Sequence, residues 1–317
     1  MAEYINIKGT NRQVLSSDPS NPTLGQIWYN TTSNTLKGRA LQSSSWATGG
    51  TMSRTRRSFG YAGTQTAALA AAGGYPAFAT TEEYNGSSWT NANNMSASLF
   101  DLAGAGLQTS AAIWGGDTNA TYEYDGTNWT TGGNLGIAVR NSAGFGVQTS
   151  AVSAGGQSPG NPYTNATEEY NGSSWTGGGN LSQQRSRLMG AGTLTAGLAT
   201  GGGTDEGLLP NTEEYNGTSW TAGGNLNTAR KESGSSTGVQ TAAIVFGGVA
   251  PGNSALTELY NGTSFANDAA MGTARSYLRG MGSATAGLAG GGYITGITGV
   301  TEEYTGTTEA TVTIDPV

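Results

Sequence analysis

The sequence predicts an all-β chain, a six-bladed β-propeller, on three observations. A unit of 40–46 residues recurs along the chain, each unit reads as four short strands, and the two ends carry complementary incomplete units. Composition agrees. Charged residues are 11% of the chain, against about 25% in an ordinary domain. Gly accounts for 53 of 317 residues, and the abundant Gly, Ser, Thr and Asn are weak helix formers, which argues against a helical bundle. Glycine has no three-residue period, so collagen is excluded. The 7 Trp, 14 Tyr and 6 Phe fall at regular positions, which argues against disorder.

The recurring string is TEEYNGSSW at Thr81–Trp89, with relatives at Thr121–Trp129, Thr167–Trp175, Thr212–Trp220 and Thr257–Phe265. A last copy starts at Thr301 and lacks its aromatic residue, while an orphan aromatic end, Leu41–Trp46, precedes the first. Joining these two pieces completes a sixth blade and removes the exposed edges of an open sheet. After each aromatic anchor comes a Gly/Asn-rich stretch ending in Met52, Met95, Leu135, Leu181, Leu226 or Met271. Four or five residues later stands Arg56, Arg140, Arg185, Arg230 or Arg275, with Leu99 in the second unit.

The first strand of each unit is the small-residue run after this arginine, suited to crowding around a central channel. The second is the apolar run closing on Gly-Gly, as in Gln65–Gly74, Gln108–Gly116 and Gln240–Gly248. The third carries TEEY and the fourth the tryptophan. Asn-Gly at Asn85, Asn171, Asn216 and Asn261, and Asp-Gly at Asp125, predict a two-residue type I′ hairpin between third and fourth strands. That register sets Tyr84 opposite Ser87 and Glu82 opposite Trp89, with Tyr84 and Trp89 as diagonal neighbours.

The chemistry available is narrow. With no Cys and no His, thiolate nucleophiles, imidazole metal sites and Ser-His-Asp catalysis are excluded. Carboxylates remain, but the Glu-Glu pairs at Glu82/Glu83, Glu168/Glu169, Glu213/Glu214 and Glu302/Glu303 sit on adjacent strand positions that face opposite sides. They recur almost everywhere, as structural residues do. In the second unit Tyr122 replaces the first Glu and Leu99 replaces the Arg, which points to an Arg–Glu pair inside each blade. No enzymatic activity and no cofactor are expected. The net charge of -7, with 14 dispersed basic residues, gives no footprint for nucleic acid. No apolar run reaches 18 residues, so no membrane insertion is expected, and MAEYINIKG has no apolar signal core.

The loops between second and third strands vary most and lie on one face, where rigid scaffolds carry specificity. Their candidate glycan contacts are Tyr75, Phe78, Asp117, Asn119, Tyr163, Asn165, Asp205, Glu206 and Tyr293. The alternative is a set of plain solvated loops.

The Gly-Gly, Tyr, Trp and Leu-x-x-x-Arg pattern, from Arg39 to Thr308, resembles the kelch repeat. That resemblance implies the propeller fold. Copper oxidases of this fold need His and Cys, so their activity is not implied. The segment Asn11–Gly38, with Pro22, Gly25-Gln26-Ile27-Trp28-Tyr29-Asn30 and Leu36-Lys37, resembles a segment of tailed-bacteriophage tail fibre and other virion proteins. By its residues it reads as a small hairpin, Ile27–Asn30 with Thr35–Gly38, around TTSN. Residues 1–38 are therefore expected to attach the chain to a particle or to sister chains, residues 39–308 to form the propeller, and residues 309–317 to form a C-terminal strand or tail. A lone hairpin is marginal in water, so Ile5, Ile7, Leu15, Leu24, Ile27, Trp28 and Tyr29 need a partner surface. The resemblance implies a virion protein, a homo-oligomer among other virion proteins, whose exposed appendage contacts a host receptor or glycan. A decoration protein of capsid or tail without a receptor, and a soluble propeller lectin, are the rival expectations.

Overall fold

Every regular element among the described residues of the computed structural model is a strand, as the Gly/Thr/Ser-rich composition requires. The structure describes residues 13–232, 234–235 and 238–314, with the backbone alone for 234–235. The chain divides into two compact units: one is Ser45–Thr305, and the other combines the two ends of the chain, up to Ser44 and from Gly306.

The larger unit is a series of four-stranded antiparallel sheets. In the first repeat the strands are Gly60–Gly63, Ala68–Ala71, Thr81–Tyr84 and Trp89–Ala92, paired in chain order. The second to fifth repeats begin at Leu102, Ala143, Met189 and Gly234 and keep that order. The last sheet contains Arg279–Gly282, Ala286–Tyr293 and Ile297–Thr305, and its fourth strand is Ser45–Thr48. Trp46 there faces Tyr304. The fourth strand of this sheet thus keeps Ser45 and Trp46 of the predicted Leu41–Trp46 but not Leu41 and Gln42, which are taken by a longer strand, Thr35–Gln42, of the smaller unit.

The first strands of neighbouring repeats lie side by side, those of the first and last repeats included. Glycine is required where two such strands approach most closely. A Cβ on Gly104 would stand 2.3 Å from the carbonyl oxygen of Tyr61, and one on Gly144 would stand 2.9 Å from the backbone of Gly104.

The turn between third and fourth strands is longer than the two-residue hairpin expected. Tyr84 pairs directly with Trp89, Glu83 with Thr90 and Glu82 with Asn91. Asn85 Oδ1 accepts the amides of Ser87 and Ser88 at 3.0 and 2.9 Å, and Gly86 has φ +90°. The side chain at Asn85 organises a four-residue loop in place of the type I′ turn. The register shifts by two residues, so each side chain keeps its predicted face.

The repeated motif is accounted for residue by residue. Its first Glu forms an ion pair within its own sheet: Arg56–Glu82 at 2.9 Å, Arg185–Glu213 at 2.7 Å, Arg230–Glu258 at 2.5 Å, and Arg275–Glu302. Each arginine of these pairs is fully buried. The second Glu accepts the hydroxyl of the next repeat's Tyr: Tyr124 to Glu83 at 2.7 Å, Tyr170 to Glu123 at 2.6 Å, Tyr260 to Glu214 at 2.6 Å, and Tyr215 to Glu169. Leu259 replaces that Glu in the fifth repeat, and Tyr304 turns to Asp268 at 2.5 Å. Trp129 and Trp175 donate to the motif threonines of the preceding repeats, Thr81 at 3.2 Å and Thr121 at 2.8 Å. Gln108 and Gln148 donate to backbone carbonyls of the preceding sheet. The same bonds join the first repeat to the last: Tyr84 to Glu303 at 2.5 Å, Trp89 to Thr301 at 3.0 Å, and Gln65 to the Tyr304 carbonyl at 2.8 Å.

Two sequence readings change here. Arg140 is not the third repeat's counterpart of Arg56. The equivalent position, four residues after Leu135, holds Val139, and Arg140 pairs instead with Asp117 at 3.1 Å. The aromatic anchors are also less uniform than their spacing implies. Trp89, Trp175 and Phe265 are buried, whereas Trp46, Trp129 and Trp220 are half-buried. Trp175 gains cover from Trp114, whose ring packs edge-on at 5.0 Å.

The smaller unit is a four-stranded sheet in the order Gln13–Leu15, Ile27–Asn30, Thr35–Gln42, Thr308–Thr313, with the first pair parallel. The predicted hairpin is present, with a second strand that runs on to Gln42, so the sequence boundaries at 38/39 and 308/309 fall inside paired strands. Trp28 is fully buried and donates to Asp18 Oδ1 at 3.0 Å. Lys37, Asn30 and Trp28 all donate to this carboxylate and hold it down at about 2. The second hairpin strand is thus paired along its free edge with the chain's own C-terminal strand, while Leu24 stays 50% exposed. Ile5, Ile7 and the last three residues of the expected 309–317 strand or tail lie outside the described residues.

Candidate functional site

One position per repeat stands apart from this regularity. Six residues after the Leu/Met anchor the chain enters the first strand through Ser58, Asp101, Asn141, Arg187, Glu232 and Tyr277. All six have positive φ, between 53° and 60°, a conformation costly for residues other than glycine. The strain is held by backbone hydrogen bonds from repeat to repeat. Asn141 N donates to Asp101 O at 3.0 Å, Arg187 to Asn141 at 2.8 Å, Glu232 to Arg187 at 3.1 Å, Tyr277 to Glu232 at 2.9 Å and Ser58 to Tyr277 at 3.0 Å. The remaining step is Leu102 N to Ser58 O at 3.2 Å.

The left-handed turn brings five of these chemically different side chains to one place. Ser58, Asn141, Arg187, Glu232 and Tyr277 line a shared pocket with Arg279. Arg187 pairs with Glu232 at 2.6 Å, and Asn141 donates to Asp101 at 3.1 Å. Glu232 is almost wholly buried, and desolvation pushes its carboxyl above the ordinary range while Arg187 opposes the shift. Tyr277 is raised to about 12 by burial and by the Glu232 charge beside it. Arg279 donates to the carbonyls of Phe59 and Leu102, both at 3.1 Å, and lies 5.8 Å from the Tyr61 ring. Among the described residues no carboxylate makes an ion pair with it. Burial lowers the pKa of this guanidinium from its ordinary value, with Tyr61, Asp101 and Glu232 opposing the shift. No cluster of three or more metal-ligating Asp or Glu side chains occurs among the described residues.

Two of the variable loops reach the residue that precedes Ser58. Arg57 lies among three tyrosine rings, 4.9 Å from Tyr277, 5.6 Å from Tyr75 and 5.9 Å from Tyr293. Tyr75 is 67% exposed and packs edge-on against Phe100 at 5.9 Å. Of the nine candidates read from sequence, Tyr75 and Tyr293 come together around Arg57. Tyr163 and Asp205 come together across two repeats through a 2.6 Å hydrogen bond. Phe78 serves the wall instead, beneath Arg54 at 4.1 Å and Arg56 at 5.3 Å. Asp117 is engaged by Arg140. Asn165 closes its own loop onto the Leu181 carbonyl at 3.0 Å. Asn119 and Glu206 are exposed on separate loops, Glu206 at the tip of a ribbon formed by Gly203–Thr204 and Gly207–Leu208.

Sequence reasoning missed Arg57, Arg279 and the six left-handed residues. The signal was present as a fixed repeat position that holds a different residue in every unit, hidden because it sits among constant residues and not in a variable loop. No protein-family model matches the chain, and no curated protein matches it.

Proposed function

We propose that the six sheets form a closed, kelch-like six-bladed propeller, and that the chain is a non-enzymatic virion protein of a tailed bacteriophage. In this reading it is exposed on the particle as a tail fibre or appendage head, and the mouth of the propeller contacts host-surface glycan. Closure is supported by the Tyr, Trp and Gln bonds from first repeat to last, which copy those between consecutive repeats. The observation that carries the binding role is the mouth. Six strained residues of unlike chemistry converge where uniform repeats need none, beneath a rim in which Tyr75, Tyr277 and Tyr293 surround Arg57. Aromatic faces beside hydrogen-bonding groups suit a sugar ring, whose apolar side stacks while its hydroxyls bond.

The non-enzymatic reading rests on the motif glutamates. The first is ion-paired with arginine in four repeats, and the second accepts a neighbouring tyrosine. Virion attachment rests on the smaller unit, where Val14, Leu24 and Leu41 are 59%, 50% and 58% exposed. Neighbouring virion proteins or sister chains would cover them.

The test is binding of the purified chain to a glycan array and to host lipopolysaccharide, beside Tyr75→Ala and Arg57→Ala. Binding lost in both variants is the expected result; equal binding by all three removes the mouth from the reading. No binding at all, with immunogold labelling of virions still positive, favours a decoration protein of capsid or tail.

A further inference from the structure

Among the described residues, Glu168 is the one glutamate at the first motif position without an arginine ion pair. In the sibling repeats the guanidinium is held by the first Glu and by carbonyls at three register positions. One belongs to the second-strand residue opposite the glutamate, namely Ala70, Ala199 and Ala289. Another lies two residues on, at Ala72 and Gly247. The third precedes the motif threonine, at Thr80 and Leu256.

In the third repeat these positions are Ser153, Gly155 and Ala166, by the pairing of Ser153 with Glu168 and of Ala154 with Thr167. All three line a small cavity, together with Val139 and Glu168. Valine fills the stem of the missing arginine but brings no charge. Among the described residues the half-buried Glu168 carboxylate accepts the amides of Gly136 at 2.6 Å and Ile137 at 3.2 Å and no side-chain cation. The second repeat deals with the lost arginine differently. Tyr122 there replaces the glutamate, and it shares an apolar cluster with Leu99, so neither charge remains.

We propose that the third-repeat cavity binds a sodium-sized monovalent cation, held by the Glu168 carboxylate and the carbonyls of Ser153, Gly155 and Ala166. The chemistry fits on three counts. The lining offers hard oxygen donors, which select hard cations. It carries one negative charge, which one monovalent ion balances. Its volume of about 10 Å³ compares with roughly 10–15 Å³ for one water, so with valine at position 139 it has room for one monatomic ion. This inference is independent of the glycan reading, since the cavity lies in the body of one repeat.

The experiment is thermal unfolding of the full chain in choline chloride, exchanged stepwise for sodium chloride at constant ionic strength. Wild type, Val139→Arg and Glu168→Gln are compared. The expected result is a saturable rise in the wild-type Tm of roughly 2–4 °C, absent in both variants. Val139→Arg supplies the sibling guanidinium and makes the ion redundant. If Val139→Arg fails to fold, sodium-23 NMR takes its place: line broadening by wild type, lost in Glu168→Gln, supports the site, and equal broadening by both overturns it. An equal sodium response in all three proteins, no response beyond choline, or a response to calcium chloride alone also overturns the proposal.

Discussion

The second and third repeats differ from their siblings at the same two positions and arrive at opposite solutions. The siblings hold a buried arginine against the first motif glutamate. The second repeat exchanges both partners, for Leu99 and Tyr122, and encloses an apolar cluster. The third exchanges only the arginine, for Val139, and leaves Glu168 beside a cavity, half-buried where the sibling glutamates are buried. A buried ion pair can be replaced as a pair at little cost, whereas removing one partner strands the other charge. Repeat proteins let that rule be read inside one chain, because the surrounding backbone is nearly the same in each unit.

The largest single-site losses are expected where the comparison concerns packing. Trp175→Ala in the third repeat should cost about 3–5 kcal/mol in chemical denaturation, because the ring is buried against Trp114. Trp129→Ala in the second repeat should cost clearly less, because that ring is only half-buried. Equal losses would mean that the two seams are energetically alike despite their different cover.

Arg185→Val copies the third repeat's solution into the fourth. Glu213 is then left buried without its cation, and the loss should be about 3–5 kcal/mol. A loss below about 1 kcal/mol in the same denaturation assay would show that the pair contributes no more than a surface bridge.

The between-repeat bonds are common to both solutions and should respond to pH. Burial, and then hydrogen bonding to the neighbouring glutamate, raises Tyr84, Tyr170, Tyr215 and Tyr260 to about 12. A phenol whose folded pKa is raised contributes stability that is fully present below its ordinary value of about 10. That contribution is lost as pH climbs through about 12. Tm should therefore be flat with respect to these groups below pH 10 and fall between pH 10 and 12. Tyr260→Phe should reduce the alkaline slope, and an unchanged slope would remove the seam from the explanation.

The smallest effect is expected for the double exchange Arg185→Leu with Glu213→Tyr, which copies the second repeat. It should change stability by about 1.5 kcal/mol or less. A loss as large as that of Arg185→Val would show that the second repeat depends on adjustments beyond these two positions.

The architecture was largely legible in the sequence because a repeat announces itself by period, and each strand by its residue types. The Arg–Glu pair was legible from one joint absence, at Leu99 and Tyr122. The same pattern misplaced Arg140, since counting four or five residues from the anchor blurs two positions that face different ways. The loop candidates were chosen for variability, which marks solvent exposure as readily as binding. Only Tyr75 and Tyr293, and Tyr163 with Asp205, come together.

By itself the sequence determined the all-β class, the strand order within each repeat, the faces of Tyr and Trp, and the absence of thiol and imidazole chemistry. These follow from local propensity and from a two-residue side-chain period, which need no knowledge of distant contacts. Tertiary structure alone decided that the second glutamate of each pair serves the neighbouring sheet, by accepting its tyrosine hydroxyl. It also decided that Ser45–Thr48 and not Leu41–Trp46 completes the last sheet, because Thr308–Thr313 takes Leu41 for its own edge. The pocket belongs to the same class. Ser58, Asp101, Asn141, Arg187, Glu232 and Tyr277 are about 40 or more residues apart in the chain. They become one site only through the backbone bonds that tie each left-handed turn to the next.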